Sequence, residues 1–220
     1  MKRLSTILLL VAVCFTAQNI AAQPFAAHED MSFFITSAGP GNGANLGGLE
    51  GADGFCMLLA EAVGIEGKEW AAYLSATAEG DSEAINARDR IGSGPWHNSL
   101  GVLIAENVEE LHSEKANLTK EASLNELGEM VKGRGDTPNM HDILTGSTLD
   151  GLFVEGDTDS TCGNWTSSAG EGSAMVGHHD RQGGGANPTS WNSAHPSRGC
   201  GQANLQSSGG NGLYYCFAKK

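Results

Sequence analysis

Histidine and aspartate side chains with the chemistry of a metal site stand together in the C-terminal half of the chain. His178-His179-Asp180 is followed by His195 in the same Gly-rich stretch. Imidazole and carboxylate ligands suit zinc or another divalent ion. Adjacent side chains on an extended segment point to opposite faces, so only one of the two neighbouring histidines can face a given site. The group favours histidines that hydrogen-bond the backbone, and a metal-dependent hydrolase centred on this loop is the alternative.

Three acidic side chains spaced by two residues form another potential ion site. Glu155, Asp157 and Asp159 lie in a Gly-containing loop and supply oxygen ligands of the kind that Ca²⁺ takes in proteins. The alternative is an acidic loop that water solvates. The sequence requires no cofactor, and Ca²⁺ is the one that this spacing favours.

Two tryptophans in the Gly-rich half are candidates for direct contact with a ligand. An exposed indole can stack on a sugar ring, so Trp165 and Trp191 could each form a platform for a glycan. Trp165 closely follows a cysteine and is more typical of a core position, whereas Trp191 lies in a loop. We predict Trp191 as the anchor of a ligand site that includes Asn192, Trp165 and Asn164.

The Arg134-Gly135-Asp136 tripeptide is the one used by integrin ligands, which present a cation and a carboxylate on a tight turn. A three-residue match of this kind is weak without its structural context. The alternative is a turn in which Arg134 and Asp136 make local hydrogen bonds.

No Gly-x-Ser-x-Gly motif is present, and no nucleophile with a base can be nominated, so we predict no enzymatic activity.

The N-terminus has the features of a secretory signal. A basic start, Met1-Lys2-Arg3, precedes a short apolar run over residues 7–13, and Ala21-Ala22 follows. We predict a signal peptide over residues 1–22, although a buried N-terminal helix is the alternative. The apolar run is too short to span a bilayer. The protein is expected in the periplasm, on the cell surface or outside the cell.

The charge of the mature chain restricts its partners. Loss of the two basic residues of the signal leaves 11 basic and 26 acidic residues, a net charge of about −15. Nucleic acids and anionic lipids both require a basic surface, so neither is expected as a partner, and no membrane insertion is expected. The charge favours cations or basic partners, and the oligomeric state stays open.

The cysteines and the element pattern predict one disulfide-bonded α+β domain over residues 31–220, after a short leader at 23–30. Four cysteines remain after the signal is removed, which in an exported chain indicates two disulfides with three possible pairings. The Gly-, Ser- and Asn-rich residues 146–212 are expected to be held by these cross-links. Periodicity and cap residues predict the regular elements: strands at 31–37, 70–76, 142–145 and 213–218, and helices at 53–63 and 83–90.

Several motifs resemble one family when taken together. The run Asn45-Leu46-Gly47-Gly48-Leu49-Glu50-Gly51-Ala52-Asp53 followed by Cys56, the block Cys162-Gly163-Asn164-Trp165-Thr166-Ser167-Ser168, and Leu213-Tyr214-Tyr215-Cys216 are similar to the bacterial endostatin-like domains. The resemblance covers most of residues 31–218. That family has a C-type-lectin-like fold and includes surface proteins that bind host extracellular proteins.

The resemblance implies a fold, a pairing of cysteines and a function. It implies an α+β domain whose two ends meet in one sheet, with nested Cys56–Cys216 and Cys162–Cys200 disulfides. It also implies a non-catalytic binding module that recognises a glycan or an extracellular protein, which we place in loops 150–200. Ser193 stands where the Ca²⁺ motif of C-type lectins has a carboxylate. A structural component of the envelope or matrix is a further alternative.

Overall fold

The computed structural model describes residues 25–219, and the predicted signal peptide at residues 1–22 lies outside them. The fold is mixed α/β, as predicted at the level of an α+β class, and most of its elements are short. No helix in the described part of the chain is long and apolar enough to cross a membrane. The strands are β1 Phe33–Ile35, β2 Trp70–Ala72, β3 Trp96–His97, β4 Leu103–Ala105, β5 Asp142–Leu144, β6 Met175–His178, β7 His195–Pro196 and β8 Gly210–Ala218.

One six-stranded sheet organises the molecule around β8. The sheet runs β1-β8-β5-β6-β7, and β2 also pairs with β8. Strand β8 is antiparallel to β1 and β2 and parallel to β5. The first and last strands are therefore neighbours, as the resemblance implies. Strands β3 and β4 form a separate two-stranded sheet.

The first helix begins earlier than predicted. Its observed bounds are α1 Gly48–Ala62, whereas the apolar spacing predicted 53–63 with Asp53 as the N-cap. Asp53 lies inside the helix because its carboxylate has other partners. It accepts hydrogen bonds from the backbone N–H of Ala72 and from the Arg90 guanidinium, and these bonds attach α1 to β2.

The other helices are short. They are α2 Val108–Leu111, α3 Cys162–Trp165 and α4 Gln202–Ser208. The predicted helix at 83–90 is wrong, because only a 3₁₀ turn at Ala87–Asp89 forms there. The N–H of Ala87 is bonded by the Ser75 hydroxyl, a partner from outside the turn, so this end is fixed by tertiary contacts instead of by a longer helix.

Both faces of the sheet are covered by apolar side chains. On one face, Phe34, Leu144 and Tyr214 pack with the buried side of α1, where Ala52, Cys56 and Ala60 recur every four residues. On the other face, the sheet packs against the chain between β2 and β5. Side chains of that second core include Phe33, Tyr73, Trp96, Ile143, Tyr215 and Phe217.

The Gly-rich residues 146–212 are ordered, although little of this region is regular structure. Both disulfides are present, Cys56–Cys216 and Cys162–Cys200. The first links α1 to β8, and the second joins two points within the Gly-rich region. Two disulfides indicate an oxidising compartment. Within this region β6 and β7 extend the sheet beyond β5, and the free end of these three strands carries the histidines discussed below.

Candidate metal centre

Three histidines and one aspartate come together at one end of strands β5, β6 and β7. Asp142 begins β5 and lies directly opposite His178 at the end of β6. His195, on β7, lies opposite Val176, which is two residues before His178 and shares its face of the sheet. His141 immediately precedes β5 and completes the group. We call these four side chains the His₃Asp cluster.

The cluster converges on a single oxygen atom. Asp142 Oδ1 lies 3.2 Å from Nε2 of His141, 3.4 Å from Nε2 of His178 and 3.6 Å from Nε2 of His195. When zinc binds nitrogen and oxygen at about 2.0–2.1 Å, the vertices of its tetrahedron lie roughly 3.3–3.4 Å apart. The three separations are therefore close to the edges that meet at one vertex of such a tetrahedron, although only His141, Asp142 and His178 place their ligand atoms within 4.8 Å of one another.

Hydrogen bonds on the far side of each ring determine which nitrogen faces the cluster with a lone pair. Nδ1 of His178 lies 2.8 Å from the Pro188 carbonyl oxygen, and Nδ1 of His195 lies 3.0 Å from that of Pro196. A carbonyl oxygen only accepts, so both Nδ1 atoms carry a proton, and each ring in its neutral form presents a lone pair on Nε2. Metal-binding histidines characteristically use their second nitrogen in this way.

Asp180 performs the same task for His141. Its Oδ1 lies 3.3 Å from His141 Nδ1, and its Oδ2 accepts the backbone N–H of Arg134 at 2.6 Å. Burial raises the pKa of Asp180, but the bonds from His141 and from the N–H groups of Arg134 and Gln182 outweigh burial and hold that pKa well below its usual range. Asp180 is therefore an ionised carboxylate that orients the imidazole.

The interior of the cluster is buried, and several of its polar atoms lack a hydrogen bond. Asp142 is buried, and neither of its carboxylate oxygens has a hydrogen-bond partner in the described chain, nor does His178 Nε2. A buried carboxylate without a partner is costly. Burial lowers the pKa of His178, but Asp142 and the Pro188 carbonyl outweigh burial and leave the pKa raised. The surroundings therefore favour a proton on the His178 imidazole while no metal ion is bound.

Glycines let the backbone approach the histidine rings. A methyl group at Gly183 would overlap the His178 ring, and one at Gly185 would lie 2.9 Å from His195 Cβ. Real Cβ atoms do not approach other atoms so closely without a shift. Part of the Gly-rich composition of this region therefore reflects close packing around the cluster.

A pocket of about 500 Å³ opens beside the cluster. His195 is the cluster member nearest to solvent, with 23% of its side chain exposed, whereas the His178 side chain is fully buried. The wall of the pocket also includes Arg134 and Arg198, and no acidic residue lines it. The cluster is thus buried on the protein side and approachable from one direction.

The structure separates the predicted His178-His179-Asp180 group. His178 belongs to the cluster, whereas His179 points away and its Nε2 lies 3.3 Å from the Lys132 carbonyl oxygen. Burial lowers the pKa of His179. The prediction that the two adjacent histidines face opposite sides is confirmed. Asp180 supports His141 through a hydrogen bond and does not face the centre of the cluster.

The structure does not bring Glu155, Asp157 and Asp159 together as the ligands of the predicted Ca²⁺ site. Asp159 instead accepts the backbone N–H groups of Thr161 at 2.8 Å and Gly163 at 2.6 Å, so both of its oxygens bind the start of α3. Glu155 and Asp157 are exposed. Within residues 25–219, the one group of three or more ligand atoms close enough to share an ion is His141, Asp142 and His178.

The predicted aromatic platform at Trp191 is wrong, because only 4% of this residue is exposed. Its ring packs against Tyr73 and Tyr215 at centroid distances of 4.7 and 5.2 Å. The neighbouring Asn192 is buried and donates to the Tyr73 hydroxyl at 3.0 Å. Too little of the indole is accessible for a sugar ring to stack on it.

The other two predicted ligand residues have structural contacts. Trp165 is fully buried, and its indole N–H donates to the Ser75 carbonyl at 2.8 Å. This agrees with the core position that its sequence neighbourhood favours. The Asn164 amide oxygen accepts the Thr77 N–H at 2.8 Å, and its amide nitrogen donates to the Thr77 carbonyl at 3.1 Å. Trp165 and Asn164 therefore fix the segment that follows β2.

The Arg134-Gly135-Asp136 tripeptide forms a turn stabilised by local bonds. Asp136 accepts the Gly133 N–H at 2.8 Å and forms an ion pair with Lys120 at 2.6 Å. The Lys120 ammonium and the Gly133 N–H hold the pKa of Asp136 below its usual value. The Asp136 carboxylate, which an integrin ligand would present to its receptor, is thus bonded within the protein. Arg134 lines the pocket beside the cluster.

The sequence motifs included His178 and His195 among metal ligands but missed His141 and Asp142. These two residues occur at the start of a predicted strand, where a His-Asp pair carries no specific signal.

No protein-family model matches the chain, and no curated protein matches it either.

Proposed function

We propose that this protein is an exported, non-catalytic binding module with a C-type-lectin-like, endostatin-like fold, and that it holds one zinc ion in the His₃Asp cluster. The observation that carries the zinc centre is the convergence of three imidazole Nε2 atoms on Asp142 Oδ1 at 3.2–3.6 Å, whereas the binding role rests on the resemblance of the sequence motifs. Rings in their neutral form face this carboxylate with lone pairs, an arrangement that is repulsive unless a proton or a metal ion lies between them.

The donor set favours zinc over the hard cations. Ca²⁺ takes six to eight oxygen ligands and Mg²⁺ takes an octahedral oxygen set, which three imidazoles do not provide. Zinc accepts histidine nitrogen and carboxylate oxygen in a tetrahedron. The rings of His141 and His178 stack in parallel with centroids 4.3 Å apart. A metal lies in the plane of each imidazole that binds it, so we expect these two rings to tilt when zinc binds.

The number of protein ligands distinguishes a structural zinc site from a catalytic one. Catalytic zinc sites characteristically have three protein ligands and a water molecule, whereas sites with four protein ligands are structural. His141, Asp142 and His178 place their ligand atoms within 4.8 Å of one another, and our proposal expects His195, whose Nε2 lies 3.6 Å from Asp142 Oδ1, to move in as the fourth ligand. The alternative is a zinc hydrolase in which His195, the most exposed donor, leaves its position to water. In that case, zinc-loaded protein would turn over ester or phosphoester substrates, and our proposal expects no turnover.

The metal would organise the part of the chain in which we place recognition. The donors come from β5, β6 and β7, and two of them lie within residues 150–200. Because zinc binds the folded arrangement only, its binding free energy stabilises that arrangement. We propose that the loops of this region recognise a glycan or an extracellular protein once the ion and the Cys162–Cys200 disulfide have fixed them.

Adjacent histidines provide a matched test of the zinc site. We expect chelator-treated protein to bind one zinc ion per chain, and His178→Ala to weaken zinc binding by about 100-fold, since one of four ligands supplies roughly a quarter of a typical zinc binding free energy. His179→Ala is the control, because both histidines are buried but only His178 faces the cluster. Calorimetric titration with a competing chelator measures both affinities.

A variant of the partly exposed His195 provides a second test, which does not depend on the folding of His178→Ala. If His178→Ala does not fold, His195→Ala should fold and show the same loss of affinity. Equal zinc affinity of the His178 and His179 variants, or no zinc binding by the unmodified chain, would refute the proposed centre.

Two adjacent glycines allow a second test. We expect Gly183→Ala to weaken zinc binding by roughly 10- to 100-fold, the usual effect of disturbing the residues that hold a metal ligand, because the new methyl group displaces the His178 ring. Gly184→Ala is the control, because nothing lies within 4 Å of a Cβ at that position. The same competition titration applies, and similar losses in both variants would contradict the packing argument.

A further inference from the structure

The pocket beside the His₃Asp cluster has an unusual charge for this protein. The whole chain carries 26 acidic and 13 basic residues, yet the pocket wall contains Arg134, Arg198 and the three cluster histidines and no carboxylate. Asp142 lies beneath the wall. With zinc in place, the ion, Asp142 and the two guanidinium groups sum to roughly +3 in formal charge.

Both arginines of the pocket have guanidinium groups without a hydrogen bond or ion pair to the described residues. Among the described arginines, Arg88 donates to the Asp150 carbonyl, Arg90 to Asp53, and Arg181 to the carbonyls of Leu118 and Thr189. Arg134 and Arg198 both line the pocket, so their guanidinium groups are available to a ligand there. Guanidinium presents paired N–H groups that match carboxylate and phosphate oxygens.

We infer that this pocket binds an anionic small molecule or sugar residue, whose carboxylate or phosphate group is held between Arg134 and Arg198 beside the metal. The inference rests on the proposed zinc centre for part of its charge, but the two arginines and the acid-free wall support it separately. The volume of about 500 Å³ exceeds that of a phosphate ion and lies within the range of small-molecule sites.

The inference identifies the ligand by its charge and size. Asn139 lines the same wall and could bond the uncharged part of such a molecule. The predicted preference for basic partners, made from the charge of the whole chain, therefore does not extend to this pocket, where the local charge has the opposite sign.

Three probes separate the requirements for charge and shape. Zinc-loaded protein is titrated calorimetrically with glucuronate, which carries a carboxylate on a sugar ring, with inorganic phosphate, and with uncharged glucose. We expect glucuronate or phosphate to bind and glucose not to bind. We expect the double variant Arg134→Gln/Arg198→Gln to bind the same anion about 100-fold more weakly, about 10-fold for each charge-assisted contact. The control is Lys115→Gln, a basic residue outside the pocket wall.

Zinc affinity is measured on the same samples, so failures of the two proposals can be told apart. If zinc binds but neither anion does, or if the double variant binds the anion unchanged, the anion pocket is wrong and the metal centre stands. If an anion binds through the arginines while no zinc binds, the pocket stands and the metal centre is wrong. Tighter binding of glucuronate than of phosphate would identify an acidic sugar as the better model of the ligand.

Discussion

Replacing Trp191 by alanine is expected to lower the free energy of unfolding by about 3–5 kcal/mol, the usual cost of removing a buried tryptophan. The indole contacts the rings of Tyr73, His112 and Tyr215 and is almost inaccessible to water. Its backbone carbonyl also accepts the Tyr215 hydroxyl at 2.9 Å. Truncation leaves a cavity in the second core that surrounding side chains can fill only in part.

Urea denaturation of the chain and its variants measures this loss. The control is Leu58→Ala, because Leu58 is an apolar residue that is 58% exposed and its truncation should change stability by about 0.5 kcal/mol or less. A Trp191→Ala variant with unchanged stability and reduced ligand binding would instead restore Trp191 to the role of an exposed anchor.

The regular elements were predictable where local pattern and tertiary packing agree. The sequence predicts strands at 31–37, 142–145 and 213–218, and the structure has β1, β5 and β8 there. The β-branched and aromatic residues of these segments are buried in the sheet, so their composition carries the signal. The start of α1 was missed because aspartate is a common N-cap residue. The Asp53 carboxylate instead bonds to Ala72 and Arg90, which are distant in sequence.

The His₃Asp cluster could be predicted only in part, because strand pairing assembles it. Asp142 and His178 are cross-strand neighbours that are far apart in sequence, and His195 joins them from a third strand. No local spacing rule relates residues at such separations. The sequence argument that only one of His178 and His179 can face a site was correct, but the remaining donors come from strands whose pairing is not visible in the sequence.

Burial of Trp191 was missed for a related reason. The surrounding Gly, Ser and Asn residues indicate a loop, and loops usually lie at the surface. In this protein the loop is buried through bonds to distant residues, such as that from Asn192 to the Tyr73 hydroxyl. Composition therefore predicted the absence of regular structure correctly and predicted exposure incorrectly, since exposure depends on what packs against the loop.

Removing the Cys56–Cys216 disulfide is expected to cost about 5 kcal/mol of stability. The bond closes a loop of 160 residues, and in the chain-entropy model it restricts the unfolded chain more than a bond across a shorter loop. The Cys162–Cys200 disulfide spans 38 residues, for which the same model gives about 4 kcal/mol. A loss of this size approaches the total stability of many domains. The comparison is between Cys56→Ala/Cys216→Ala and Cys162→Ala/Cys200→Ala, measured by urea denaturation with zinc removed.

The two bonds should also differ in their effect on the metal centre. Cys56 and Cys216 join α1 to the end of β8, away from the donors, so their loss should lower global stability without changing zinc affinity in the folded protein. Cys200 lies five residues beyond His195, so loss of the Cys162–Cys200 bond frees the strand that carries this donor, and zinc affinity should fall. Equal zinc affinities in the two double variants would show that the strand pairing of β7 alone positions His195.

A smaller stability loss for the 160-residue loop than for the 38-residue loop would show that residual structure, and not chain entropy, governs the unfolded state.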